Sequence, residues 1–212
     1  MGRYTGPTCR LDRREQQDLS LKSGVTALKN KCNMGTMPGE HSRSQRRSTE
    51  KPYNVSLRNK QTAKRIYGIR EKQFVRLYNV AQAGAKRHSI KTDMYFYSIL
   101  ERRLDNVIYR LGLASTRAEA RQLISHGAVL VNASKCDIPS RILLVDDTVS
   151  IAPRKQKQQR ITVALSRFVK TGKQYNWLQS YPESFSGKVV SVHVEDPQPM
   201  FNTKSIVEFY SK

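Results

Sequence analysis

Acidic side chains are scarce in this chain: 17 Asp and Glu stand against 38 Lys and Arg in 212 residues, a formal charge of +21. Such an excess is unusual for a cytosolic enzyme and ordinary for a protein that lives against phosphate. Long apolar runs are missing too, and no stretch approaches the roughly 20 apolar residues that cross a bilayer. The opening MGRYTGPTCRLDRRE lacks the apolar core of a secretory signal, and Gly6 stands where a myristoylation signal places a hydroxyl residue. The expectation is a cytoplasmic chain, or one made inside an organelle with its own ribosomes, and no membrane partner. Cysteine is sparse: Cys9, Cys32 and Cys136, odd in number and widely spaced, argue against a disulfide framework. Cys9, Cys32 and His41 share one lobe but lack the C-x-x-C spacing of a structural zinc site. His41, His88, His126 and His193 lack neighbours suited to acid–base work, and no G-x-x-x-x-G-K phosphate loop occurs. No catalytic residue, metal or cofactor is expected.

The positive charge is uneven. Residues 53–90 carry 9 basic and 1 acidic side chain, whereas residues 91–152 carry 8 and 7. The flanks therefore offer diffuse attraction to phosphate, and the middle depends on where its arginines are placed. In the first 50 residues, GRYTGP and CRLDRREQQDLSLKSGV read as a turn and a short helix. PGEHSRSQRRSTEKP reads as a polar loop that orders on a partner. From Leu57 to about Ala81 the pattern is helical, with Tyr67, Phe74, Leu77, Tyr78 and Ala81 as a stripe broken by Gly68. Arg58, Lys60, Lys64, Arg65, Arg70, Lys72 and Arg76 crowd the remainder, and Glu71 is the one acid among them. Like charges packed this closely call for a polyanion.

The densest signal is LERRLDNVIYRLGLASTRAEARQLISHGAVLVN, residues 100–132. Leu100, Leu104, Val107, Ile108 and Leu111 recur with helical spacing, and Arg103, Asn106 and Arg110 fall together on another side. Gly112 suits a left-handed helix end, and Thr116 with Glu119 forms a capping box for a second helix bearing Arg117 and Arg121. With few carboxylates nearby, these arginines are expected to project outward onto one RNA-facing surface and to leave folding indifferent to their loss. Further on, RKQKQQR is a basic run, ITVALSRFV a helix, KVVSVHV the best strand and SIVEFYSK a docking terminus.

Leu104-Asp105-Asn106, the run from Thr116 to Gly127, and Val129 to Asn132 resemble the S-four RNA-binding module. GRYTGPTCRL, RREQQDLSLKSG, PGEH, LRNKQTAKRIYGIREKQF, Trp177-Leu178 and IVEFYSK extend that resemblance, in order, to the bacterial-type ribosomal protein four family. The resemblance implies an α+β fold: a basic, mainly helical part over 1–97, the module over 98–162 and a returning extension over 163–212. It implies a non-enzymatic component of the small ribosomal subunit that binds small-subunit ribosomal RNA early, nucleates assembly of the body and helps set translational accuracy. Small-subunit ribosomal protein five and messenger RNA near its point of entrance are the further partners implied. Some members bind zinc with four N-terminal cysteines; here Cys9 and Cys32 match two of those positions while Asp12 and Thr26 stand at the others, a lapsed site. Ala133 replaces the usual turn glycine after Asn132.

Candidate RNA-contacting residues run along the whole chain. They are Arg3, Arg10, Arg13, Arg14, Lys22, Arg43, Arg46, Arg47, Arg58, Lys60, Lys64, Arg65, Tyr67, Arg70 and Arg76, then Arg103, Asn106, Arg110, Thr116, Arg117, Arg121, His126, Arg154, Lys155 and Lys157. Two other functions compete. Pseudouridine synthases join this module to a catalytic domain with an Arg-Leu-Asp motif, and Arg103-Leu104-Asp105 has that form. That motif here lies inside the module, upstream of Thr116, so Asp105 is expected to be a helix cap or an arginine partner. A free RNA chaperone would need only the module and a basic tail.

Overall fold

A computed structural model of the chain describes residues 4–22, 30, 32–39, 51–172, 174–192, 194 and 200–211. Arg3, Thr26, His41, Arg43, Arg46, Arg47 and His193 lie outside the described residues. The fold is α+β. The helices are α1 (Thr8–Glu15), α2 (Pro52–Tyr67), α3 (Glu71–His88), α4 (Thr92–Glu101), α5 (Leu104–Arg110), α6 (Arg117–Ser125), α7 (Pro153–Gln156), α8 (Gln159–Thr171) and α9 (Thr203–Ser211). The strands are β1 (Val129–Val131), β2 (Ser134–Lys135), β3 (Thr148–Ile151), β4 (Leu178–Tyr181) and β5 (Ser186–Val189), antiparallel in the order β2-β1-β3-β5-β4. No helix among the described residues is long and apolar enough to cross a membrane.

The helical pattern from Leu57 onward resolves into two helices because Gly68 ends the first in the left-handed conformation, at φ 57°. Gly68 serves a second purpose: a Cβ there would lie 2.8 Å from the Arg121 guanidinium, so the bare backbone lets the two parts of the chain touch. Phe74, Tyr78, Ala81 and Ala85 bury one face of α3. Phe74 and Tyr78 meet Phe96 of α4 edge-on at 5.2 and 5.9 Å, and Tyr78 meets Tyr210 of α9 at 4.9 Å. The apolar terminus therefore docks, as its composition suggests, and completes an aromatic core begun more than a hundred residues earlier.

The stripe from Leu100 to Leu111 predicts one helix, and the structure breaks it. Arg102 and Arg103 leave the helical path to pair with the chain around Ile142: Leu143 N donates to Arg102 O at 2.9 Å and Leu104 N to Arg141 O at 2.8 Å. The apolar positions keep their burial because α4 and α5 are nearly continuous in sequence, while the side chains between them are redirected inward. Beyond α6, Asn132 and Ala133 both take positive φ, 52° and 64°, as a tight hairpin turn between β1 and β2 requires. Ala133 thus does what glycine would do more easily. Val129, Val131, Val149, Ile151 and Val189 carry the inner face of the sheet, none more than 1% exposed. The expected strand KVVSVHV is shifted: β5 starts at Ser186 and ends at Val189, where Val190 N turns to bond Trp177 O.

Glu71 ties three helices of the basic lobe together. Its carboxylate accepts Lys60 Nζ at 3.0 Å and Lys64 Nζ at 2.5 Å from α2, and the Tyr210 hydroxyl at 2.8 Å from α9. Burial opposes its charge, but these donors hold its pKa down to about 2 from an ordinary 4.5. A depressed carboxylate stabilises the fold fully above its unfolded value and loses that contribution as pH falls through the folded one. Thermal melts should therefore show the native chain more stable than Glu71→Gln at neutral pH, with the gap closing between pH 4.5 and about 2. A gap that does not change with pH would place the ion cluster outside the stability of the lobe.

Candidate nucleic-acid interface

The arginines expected on an outward face turn into the molecule. Glu101, at the end of α4, is wholly buried, and its carboxylate accepts Arg110 through Nε and Nη2 at 2.8 Å each. The same carboxylate takes the Tyr67 hydroxyl at 2.5 Å and Asn106 Nδ2 at 2.9 Å. Arg110 also donates to the Tyr175 hydroxyl at 2.9 Å, reaching the turn before β4. Asn106 is fully buried and its Oδ1 accepts Arg117 Nε at 2.8 Å, and the Arg117 guanidinium lies 4.3 Å over the Tyr109 ring. Burial opposes the charge on Glu101, yet Arg110 and Arg117 outweigh it and hold its pKa below the usual range. The Tyr67 hydroxyl, desolvated beside that carboxylate, is pushed well above 10.0.

Asp105 organises a second pair. Its carboxylate accepts Arg103 at 3.0 and 3.2 Å and Arg121 Nε at 2.7 Å, and Arg121 extends to the carbonyls of Gly68, at 2.8 Å, and Tyr67. The expectation that Arg103, Arg110, Arg117 and Arg121 project onto one exposed face is therefore corrected, and Asn106 and Tyr67, also candidates for RNA contact, are buried in the same network. One carboxylate accepts several donors, so a few acids satisfy many arginines. Asp105 is the arginine partner that the sequence anticipates. The Thr116 cap also stands, with Glu119 N donating to Thr116 Oγ1 at 3.1 Å. Glu119 returns its carboxylate to Ser115 N, at 2.8 Å, one residue earlier than a strict capping box.

Part of the basic lobe is likewise engaged within the chain. Glu15 of α1 takes Arg65 and, at 3.3 Å, Arg58. Lys60 and Lys64 belong to Glu71, and Lys60 lies 4.3 Å over the Phe209 ring. Arg13 donates to Thr36 O at 2.8 Å and Met37 O at 3.3 Å, and Lys22 points at two sulfurs. Exposed cations remain at Arg10 and Arg14 on α1, at Arg70 and Arg76, and at Arg154, Lys155 and Lys157 around α7, and His126 is exposed as well. The structure adds Lys72, Lys86 and Arg87, which the candidate set omitted. Lys72, Arg76, Asn79, Ala83, Lys86 and Arg87 are all exposed and lie along the side of α3 opposite Phe74, Tyr78 and Ala85. The spacing of that stripe was present in the sequence; stopping the helix near Ala81 hid its second half. None of Lys72, Arg76, Lys86 and Arg87 has a carboxylate partner among the described residues. On an 18-residue helix, about 27 Å long, this is a straight cationic edge of the kind that tracks a phosphate backbone.

The residues do not fit a zinc ion. Cys9 and Cys32 are joined in a disulfide, with Cα atoms 5.9 Å apart, and Lys22 Nζ lies 3.5 and 3.4 Å from their sulfurs. A cation already stands where a metal would need to be, and no group of three or more His, Cys, Asp or Glu suited to a metal occurs among the described residues. The disulfide corrects the reading drawn from cysteine number and spacing: folding α1 against the turn at 32–39 brings together sulfurs 23 residues apart in sequence. Cys136 is left free and buried.

A capped helix pair set against a short antiparallel sheet defines the class: residues 102–149 match the family model described as S4 domain. Residues 3–113 match the model described as ribosomal protein S4/S9 N-terminal domain. Curated relatives named small ribosomal subunit protein uS4 align along their full length and that of this chain. Those of Vesicomyosocius okutanii subsp. Calyptogena okutanii, Hahella chejuensis and Francisella tularensis subsp. holarctica are 46%, 45% and 41% identical to it. The chain belongs to the uS4 family.

Breaking the inward network should cost stability, not surface charge alone. Arg117→Ala with Arg121→Ala leaves Asn106 and Asp105 short of buried partners and should destabilise the fold by about 3 kcal/mol or more in urea unfolding. A change below about 0.5 kcal/mol would return these arginines to the solvent-exposed class.

Proposed function

We propose that this chain is a structural, non-enzymatic component of the small ribosomal subunit that binds small-subunit ribosomal RNA. The observation that carries the reading is the unpartnered cationic edge of α3, with Arg10, Arg14, Arg70, Arg154, Lys155 and Lys157 as further exposed cations able to donate to phosphate. The names of its relatives support the same address. RNA contact then falls chiefly on these residues and His126, and the inward arginines act by holding the helices that present them. Primary RNA binding, nucleation of the body, contact with small-subunit protein five, a place near the entering messenger and a share in decoding accuracy complete the proposal, in a cytoplasmic ribosome.

The pseudouridine synthase alternative is disfavoured by the state of Asp105. A nucleophile must reach a base, whereas this carboxylate is 2% exposed and bound to Arg103 and Arg121. The protein should sediment with small subunits after a moderate-salt wash, and its affinity for their RNA should fall with salt at a logarithmic slope steeper than about −5. A protein washed free of subunits, with a slope near −1, would contradict the proposal.

A further inference from the structure

The zinc position that the family resemblance implies holds a different chemistry in this chain. Four side chains meet where α1 faces the turn after it. Cys9, the second residue of α1, is half-buried, Cys32 is 5% exposed, and Lys22 reaches both sulfurs at 3.5 and 3.4 Å. Asp12, one turn along from Cys9, is fully buried. It does not capture the lysine: one of its oxygens accepts Leu19 N at 3.2 Å and the other has no hydrogen-bond partner. The ammonium is therefore directed at sulfur, not at the adjacent carboxylate. An ammonium in this position favours the thiolate, the form that attacks a disulfide.

We propose that Cys9 and Cys32 are a reversible dithiol–disulfide site, activated by Lys22 and reactive toward low-molecular-weight disulfides such as oxidised glutathione. Cys9 is the more exposed residue of the two and reacts first: its thiolate attacks one sulfur of glutathione disulfide, and one glutathione thiolate leaves. Cys32 then gives up its proton to solvent and attacks the Cys9 sulfur, which expels the second glutathione thiolate. Two protein thiols are oxidised and one glutathione disulfide is reduced to two thiols. The bond pins the turn at 32–37 to α1, alongside the Arg13 bonds to Thr36 and Met37. α1 also presents Arg10 and Arg14, so oxidation stiffens the support of part of the cationic surface. Reduction leaves that turn held to α1 by Arg13. The inference stands on the cysteine–lysine cluster and is independent of the RNA reading.

The test uses the full chain, reduced and then held folded in mixtures of oxidised and reduced glutathione, quenched with acid, alkylated and read by mass. The expected product has lost two hydrogens as a Cys9–Cys32 bond, reopens in excess reduced glutathione, and keeps Cys136 as a thiol. Cys32→Ser should stop at a mixed disulfide on Cys9. Lys22→Gln should close at least about fivefold more slowly, and Lys22→Arg, which retains the charge, at close to the native rate. Alkylation of Cys136 before denaturation reports any variant that has unfolded. If Lys22→Gln unfolds, Lys22→Arg decides: closure as slow as that of the unfolded chain overturns the proposal. So does a native chain that stays reduced or accumulates the mixed disulfide, or a folded Lys22→Gln that closes at the native rate.

Discussion

The structure depends on one buried carboxylate. Glu101 gathers Tyr67 from α2, Asn106 and Arg110 from α5 and, through Asn106, Arg117 from α6; Arg110 extends the chain of bonds to Tyr175 beside the sheet. A charge this deep is tolerable only because several donors meet it at once. The consequence is geometric. The basic helical lobe, the capped helix pair and the sheet cannot shift independently without leaving a buried charge unpaired. Asp105 repeats the arrangement nearer the surface, where Arg121 crosses to the carbonyl of Gly68.

This rigid frame explains the division of labour among the cations. A chain of +21 has many basic side chains to distribute, and the fold engages Arg58, Lys60, Lys64, Arg65, Arg103, Arg110 and Arg121 with its own carboxylates. The stripe Lys72, Arg76, Lys86 and Arg87 on α3 is left facing solvent. That surface is useful only if α3 keeps its orientation, and the aromatic core shared with α4 and α9 provides that constraint. Rigid presentation of several charges lowers the entropy lost when a phosphate backbone is bound.

Much of the architecture was legible in the sequence because it follows from local chemistry. Gly68 and Gly112 end helices, Thr116 starts one, and the valines around Asn132 alternate as a hairpin must. The amphipathic stripe in α3 gives its buried face directly. What escaped was non-local. Periodicity says that Arg103, Asn106 and Arg110 share a side, but not which side faces the core. That is decided by Tyr67, 34 residues away from Glu101, and by Tyr175, 65 from Arg110. Counting carboxylates misled for the same reason, since one buried acid can satisfy several guanidiniums. The break between α4 and α5 was hidden because strand-like pairing of Arg103 with Ile142 leaves the apolar spacing intact. The disulfide was hidden because the meeting of Cys9 and Cys32 is set by the path of the turn.

The claim that the exposed edge of α3, and not the arginines of the helix pair, is the principal RNA-facing surface is tested by neutralising that edge alone. Lys72→Gln, Arg76→Gln and Lys86→Gln together remove charges that make no ion pair among the described residues, so the thermal midpoint should be unchanged. Binding of the triple variant to small-subunit ribosomal RNA at fixed moderate salt should weaken at least about tenfold, as expected for lost charge-assisted phosphate contacts. Native affinity in a folded triple variant would contradict the account.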